Sequence, residues 1–152
     1  MDKEKVVDHA NMKQEWIDYA NSISETDRAL GEVVSESVQC YDNGEYLAAL
    51  SCLFVIIEES LRAALDSYNT TEGLFGLAKN AMARNLISAR DFEALDAIRG
   101  FRNGLLHGNM HSVAMVKDGL VYPLNESGNR KELFETFASP ALEIVSKLLA
   151  LG

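Results

Sequence analysis

The amino-acid sequence predicts an all-α protein, an up-and-down bundle of five or six helices in a single domain over residues 1–152. Three observations support this prediction. Apolar residues recur three and four positions apart along most of the chain, which is the helical period. Pro123 and Pro140 are the two prolines, so few positions interrupt a helix. A chain of 152 residues, 47% hydrophobic, has the usual length of one domain with a sizeable core.

Two helices are predicted in the first third of the chain. The first lies within residues 3–20, where apolar positions follow the helical period. Ser24 together with Asp27 resembles the capping signal of a second helix that reaches about Tyr41. Residues 42–44, Asp-Asn-Gly, then predict a turn.

The strongest helical pattern covers residues 45–68. One predicted face carries nine apolar residues: Tyr46, Leu47, Leu50, Leu53, Phe54, Ile57, Leu61, Ala64 and Leu65. Much of the opposite face is apolar as well: Ala49, Cys52, Val55 and Ile56. A helix that is apolar on more than one face is either central in the bundle or also contacts a second subunit.

Two more helices are predicted before the C-terminal region. Thr70 or Thr71 caps the fourth, over residues 73–86. Ser88 begins the fifth, which is expected to end at Gly108 because glycine is common just after a helix.

The C-terminal region is predicted to hold a hairpin and two helices. Residues 113–122 favour a short hairpin, since the Asp-Gly pair at 118–119 is typical of a two-residue turn. After a polar loop, a short helix is expected to end at Ala138. Ser139 and Pro140 then predict the start of a last helix, with serine as N-cap and proline in the first turn.

Charge and composition exclude several classes of protein. The formal net charge of -9 argues against a protein that coats nucleic acid non-specifically. Residues 79–107 nevertheless carry a local excess of +2. The charged N-terminus lacks the apolar core of a signal peptide, and the longest apolar run is too short to span a membrane. Cys40 and Cys52 form no C-x-x-C pair and are expected to be reduced, so a cytoplasmic protein without membrane contact is expected.

Arg102 occupies an unusual position on the predicted fifth helix. At about 100° per residue, Arg102 projects from the middle of an apolar arc of five residues: Phe92, Leu95, Ile98, Leu105 and Leu106. A charge on a buried face is costly unless it is paired or used. Two explanations remain open. Arg102 either forms a structural ion pair with Glu58, which flanks the apolar face of the third helix, or binds an anion in a wet cleft.

Polar residues around Arg102 suit chemistry at a phosphodiester. Asn103 and His107 are four residues apart and share a helix face, and Arg99 extends that row by one turn. His107 is expected at the end of the helix, where the helix dipole favours its protonated form. An imidazole that exchanges a proton, an amide and a permanently charged guanidinium fit this reaction.

This segment resembles the HEPN family (higher eukaryotes and prokaryotes nucleotide-binding). The family signature is an arginine, four to six residues and a histidine, often with asparagine directly after the arginine; Arg102, Asn103 and His107 match it. The resemblance covers about residues 44–108 and the closing helix. It implies a helical bundle that dimerises with the two motif helices facing each other. It also implies metal-independent RNA cleavage in which histidine acts at the 2′-hydroxyl, arginine holds the phosphate and asparagine orients the site.

The resemblance also implies partner proteins and an alternative function without cleavage. Many members act in toxin–antitoxin or phage-defence systems, often beside a nucleotidyltransferase-like antitoxin, and some bind without cleaving. One toxin subgroup carries a tyrosine two residues after the histidine, whereas this chain has Asn109. Two functions therefore remain open: a homodimeric ribonuclease in which Glu58 orients the site, and a non-catalytic helical interaction or nucleotide- or RNA-binding module.

No metal or other cofactor is expected. His107 and His111 are spaced like a zinc pair, but Gly108 and Asn109 are expected to end the helix between them. Glu132 and the glutamate three residues later form a single E-x-x-E, without the second half that a helical pyrophosphohydrolase needs.

Overall fold

The computed structural model describes residues 3–67, 71–106 and 113–151, and within them the chain forms six helices and one two-stranded sheet. The helices are α1 Lys3–Thr26, α2 Arg28–Asp42, α3 Tyr46–Leu65, α4 Leu74–Ala83, α5 Ala89–Leu106 and α6 Ser127–Ala150. The strands are β1 Ala114–Lys117 and β2 Leu120–Pro123. The predicted all-α helical bundle is confirmed.

Helices α1, α2, α3 and α6 pack in a closed ring, and α4 and α5 form a layer beside α3 and α6. The first three helices run up and down. Helix α6 instead runs in the same direction as α3. Phe134 near its start stacks on Tyr41, just before α3, and Leu148 near its end shares a surface depression with Ala64 at the end of α3. Helices α4 and α5 return the chain to the end of the bundle at which α3 begins, and α6 starts there.

Helix α3 is the central helix, as its pattern predicted. Ala49, Ile56, Ile57 and Leu61 are each 0% exposed, although they point to different sides of the helix. They are covered by helices of the same chain. Among the described residues of this helix, Val55 is the one large apolar residue that is exposed, at 51%.

The boundary between α1 and α2 differs from the prediction. Helix α1 continues to Thr26, and Ser24 lies inside it, so the predicted capping role of Ser24 is wrong. Asp27 caps α2 instead, because its side chain accepts a hydrogen bond from the Leu30 amide at 3.1 Å. A Cβ at Gly31 would lie 1.8 Å from the Ser24 hydroxyl, so the two helices cross closely here and need a glycine.

Helix α4 is shorter than predicted and begins differently. Its N-cap is Gly73, with no side-chain hydrogen bond, so Thr71 does not cap it. Thr70 lies outside the described residues. The helix ends at Ala83 rather than near residue 86, and Asn85 adopts a positive φ of 59° that ends the helical path.

The break predicted at Ser139 and Pro140 is wrong, because α6 continues through both residues. The Ser139 hydroxyl does not cap a helix but accepts a hydrogen bond from the Trp16 indole at 3.0 Å. Ala138 and Ala141 are both 0% exposed. Proline removes one backbone hydrogen bond, and packing on both sides of Pro140 holds the helix together.

The predicted hairpin is confirmed. Strands β1 and β2 pair antiparallel, and Asp118 and Gly119 have φ values of 53° and 77°, as a type I′ turn requires. Met115 is 3% exposed, and Lys117 forms an ion pair with Glu132 of α6 at 2.7 Å. The hairpin is therefore anchored to the bundle.

Neither cysteine forms a disulfide, and both thiols are half-buried. Within the described ranges, no helix has the length and apolar character needed to cross a membrane.

Candidate functional site

Helix α5, which carries the predicted motif, begins as expected. The Ser88 hydroxyl accepts a hydrogen bond from the Asp91 amide at 3.0 Å, and the Ser88 amide donates to the Asp91 carboxylate at 3.1 Å. This reciprocal pair is a capping box closed by aspartate. The predicted end of the helix at Gly108 lies outside the described residues.

The buried face of α5 agrees in part with the predicted apolar arc. Leu95, Ile98 and Leu105 are buried, and Phe92 is half-buried. Leu106 is 45% exposed, so its predicted burial is wrong. It lies two turns after the half-exposed Arg99, on the margin of the buried face rather than within it.

Arg102 contacts Glu58 of α3. Its Nη2 lies 3.3 Å from Glu58 Oε2, and the two side chains are 27% and 23% exposed. The other carboxylate oxygen, Oε1, accepts a hydrogen bond from Arg62 Nη2 at 3.0 Å. Glu58 therefore bridges two arginines on different helices, and the proximity of Arg102 to Glu58 expected from the sequence is confirmed.

Arg62 connects this pair to the segment between α3 and α4. Its guanidinium also donates to the backbone carbonyls of Ser67, at 3.2 Å, and Glu72, at 2.7 Å. Arg62 thus holds Glu58 on one side and leaves its second oxygen facing Arg102. The sequence analysis missed Arg62, although a glutamate four residues before an arginine on a helix indicates such a pair.

Within the described part of the chain, Arg102 uses one of its nitrogens as a hydrogen-bond donor. Among the described residues, Nη2 is the nitrogen of Arg102 that has an acceptor, and Nε and Nη1 have none. The contact with Glu58 is therefore single rather than the two-pronged contact that a guanidinium prefers with a carboxylate. A partly exposed guanidinium whose other nitrogens have no acceptor among the described residues can bind an anion such as a phosphate.

The other predicted site residues have different surroundings. Asn103 follows Arg102 and is half-buried. Arg99 lies one turn before Arg102; its Nε contacts Asp96 Oδ1 at 2.9 Å, and its guanidinium lies over the ring of Phe75, 5.1 Å from the centroid. His107 lies outside the described residues. The structure thus brings Arg102 and Glu58 together, with Arg99 and Asn103 beside Arg102.

Gly104 is a site residue that the sequence analysis missed. A Cβ at this position would lie 2.0 Å from Cγ2 of Val113, which directly precedes β1. The lack of a side chain lets Val113 pack against the motif helix. A glycine within a helix was the available signal, because glycine weakens a helix and often marks a close approach.

The described residues contain no group of three or more His, Cys, Asp or Glu side chains that could hold a metal ion. Glu132 and Glu135 of the E-x-x-E pattern have structural partners. Glu132 pairs with Lys117, and Glu135 accepts a 2.5 Å hydrogen bond from the Tyr41 hydroxyl. Burial and this hydrogen bond raise the pKa of Tyr41 well above its ordinary value. His107 and His111, the predicted zinc-like spacing, lie outside the described residues.

Comparison of the chain with protein-family models, with curated proteins and with solved structures found no match.

Proposed function

We propose that the protein is a metal-independent endoribonuclease of the HEPN type, a homodimer that cleaves RNA in the cytoplasm. The single observation that supports this most is the state of Arg102. Its side chain is 27% exposed, makes one contact with Glu58 and keeps further donors without an acceptor among the described residues. An arginine presents five donors in a rigid fork, so one contact with Glu58 leaves the guanidinium able to hold a phosphate as well.

In the proposed reaction, the His107 imidazole removes the proton from the ribose 2′-hydroxyl. The 2′-oxygen then attacks phosphorus and the bond to the 5′-oxygen breaks, which leaves a 2′,3′-cyclic phosphate and a 5′-hydroxyl that takes a proton from a general acid. Arg102 stabilises the extra negative charge on the phosphate oxygens, and Asn103 orients the reacting group by hydrogen bonds.

Glu58 acts as a positioning residue in this proposal. Arg62 holds one of its oxygens, so the other is available to set the direction of the Arg102 guanidinium. Because the contact between Glu58 and Arg102 is single and about a quarter exposed, it restrains the arginine without using all of its donors.

The charge of the chain suits a regulated ribonuclease. The local excess of +2 over residues 79–107 attracts a phosphate, and the acidic remainder repels extended nucleic acid. We infer a role in a toxin–antitoxin or phage-defence system, in which a nucleotidyltransferase-like antitoxin restrains the enzyme.

Incubation of the purified chain with mixed RNA tests the proposal. Cleavage is expected to persist in excess chelator and to leave 2′,3′-cyclic phosphate ends. It should be lost in Arg102→Ala and in His107→Ala, and retained in Arg28→Ala, a control that removes an exposed arginine of α2. Cleavage that survives either motif substitution would come from a contaminating nuclease and would refute the proposal.

A second candidate function is a non-catalytic helical interaction module, or one that binds nucleotide or RNA without cleaving it. The bridge from Glu58 to both Arg62 and Arg102 favours it, because these three residues tie α3 to α5 as a polar cluster. Under this alternative the wild-type chain leaves RNA intact, and Arg102→Ala changes stability rather than any activity.

A further inference from the structure

An exposed aromatic ring lies beside the motif helix. Phe75 of α4 is 45% exposed, although its neighbour Leu74 is buried at 2%. The ring meets Phe92 of α5 edge-on, with centroids 5.9 Å apart, and the Arg99 guanidinium lies 5.1 Å from its centroid. Two contacts from α5 thus hold the ring in position while nearly half of the side chain faces solvent.

This ring adjoins a row of cations. Lys79 is exposed and lies one turn after Phe75 on α4, and Arg102 lies one turn after Arg99 on α5, so each pair shares a helix face. Asp96 accepts a hydrogen bond from the Nε of Arg99. The terminal nitrogens of Arg99 have no acceptor among the described residues. Helix spacing therefore places Lys79 and Arg102 on either side of the contact between Phe75 and Arg99, so that one aromatic ring lies between positive charges.

We propose that this surface binds single-stranded RNA, with one unpaired base stacked on Phe75 and the adjoining phosphate held by Arg99. The proposal rests on the ribonuclease function proposed above and names its substrate class. Unpaired bases stack on aromatic rings and on guanidinium planes, whereas the bases of a duplex are already stacked on one another. Phe75 fixes which nucleotide lies beside the phosphate at Arg102.

Binding of a 2′-O-methyl RNA, which lacks the attacking hydroxyl, tests the platform independently of cleavage. By fluorescence anisotropy, Phe75→Ala and Phe75→Leu should each weaken binding of the single strand about tenfold, and Phe75→Trp should retain it. Val121→Ala, at a 64% exposed apolar position of the hairpin, is the matched control and should bind like wild type. Unchanged binding in Phe75→Leu, or equal binding of a blunt duplex, would overturn the proposal.

A second readout follows from the tryptophan content. Trp16 is the one tryptophan of the chain and is 1% exposed, so its fluorescence should not respond to RNA. In Phe75→Trp the new indole should be quenched when the single strand binds, because a base stacks on it. Binding seen by anisotropy without quenching would contradict the platform.

The two proposals fail in different ways. A chain that binds the single strand through Phe75 but leaves ordinary RNA intact refutes the ribonuclease and supports the platform. A chain that cleaves RNA and binds it equally well in wild type and Phe75→Leu refutes the platform and leaves the ribonuclease standing.

Discussion

The Arg102 guanidinium on α5 lies 3.3 Å from the Glu58 carboxylate on α3, although 44 residues separate them in the chain. Both side chains are about a quarter exposed, so water screens their attraction. A pair of this kind contributes about 0–1 kcal/mol, whereas breaking a fully buried pair costs about 3–5 kcal/mol. The difference separates a binding role for Arg102 from an architectural one.

Arg102→Ala is expected to lower the free energy of unfolding by about 1 kcal/mol or less, because the lost contact is single and partly exposed to water. Urea denaturation of wild type and variant measures the change. A loss of about 3–5 kcal/mol would make Arg102 a structural residue and would remove the main physical support for the ribonuclease.

Glu58→Gln is expected to lower the free energy of unfolding by about 1–2 kcal/mol, which is a larger loss than that expected for Arg102→Ala. The substitution removes the partner of two arginines, and Arg62 is only 14% exposed. Glu32→Gln is the control, since Glu32 pairs with Arg28 at 3.4 Å in a pair that is largely exposed. Equal effects at positions 58 and 32 in the same denaturation experiment would show that the contacts of Glu58 with the two arginines do not stabilise the fold.

Gly104→Ala should lower the melting temperature, although alanine is the better helix former by about 1 kcal/mol. The new Cβ would overlap Val113, whereas a Cβ at Gly100 meets nothing within 4 Å. Gly100→Ala should therefore stabilise the protein, which makes it a matched control on the same helix. The double variant Gly104→Ala/Val113→Ala should recover most of the loss. A stabilising Gly104→Ala would refute the close approach.

The predicted dimer should bury the motif face. Val55 lies one turn before Glu58 on α3 and Leu106 one turn after Arg102 on α5, and both are about half exposed. Light scattering at micromolar concentration should give a dimer for wild type and a monomer for Val55→Lys or Leu106→Lys. Ile17→Lys on α1, at 37% exposed, should remain dimeric. A monomeric wild type would refute both the dimer and a composite site.

Both thiols should react slowly near neutral pH. Burial, followed by the nearby Glu36, raises the pKa of Cys52, and burial with Glu45 and Glu36 raises the pKa of Cys40. A raised thiol pKa means less thiolate at a given pH, so labelling by a disulfide reagent at about pH 8 should be slower than for free cysteine. The rate should rise with pH and in urea. Labelling as fast as free cysteine would contradict the burial.

The sequence by itself determined the features that depend on local physics. The apolar residues of α3 predict a helix that is central or also contacts a second subunit, because they lie on more than one of its faces. Ser88 acts as a cap because it supplies an oxygen to the amide three residues later, and the Asp-Gly pair at 118–119 forms the hairpin turn because both residues tolerate positive φ. The proximity of Arg102 to Glu58 was also predictable, since Arg102 projects from the apolar arc of its helix and Glu58 flanks the apolar face of α3.

Only the tertiary structure decided the rest. Pro140 lies inside a continuous helix because Ala138 and Ala141 are buried against the bundle, although proline locally favours a helix start. The role of Gly104 depends on Val113, and that of Phe75 depends on Arg99 of another helix. Contacts between residues far apart in the chain follow from how whole helices pack, and no short sequence pattern records them.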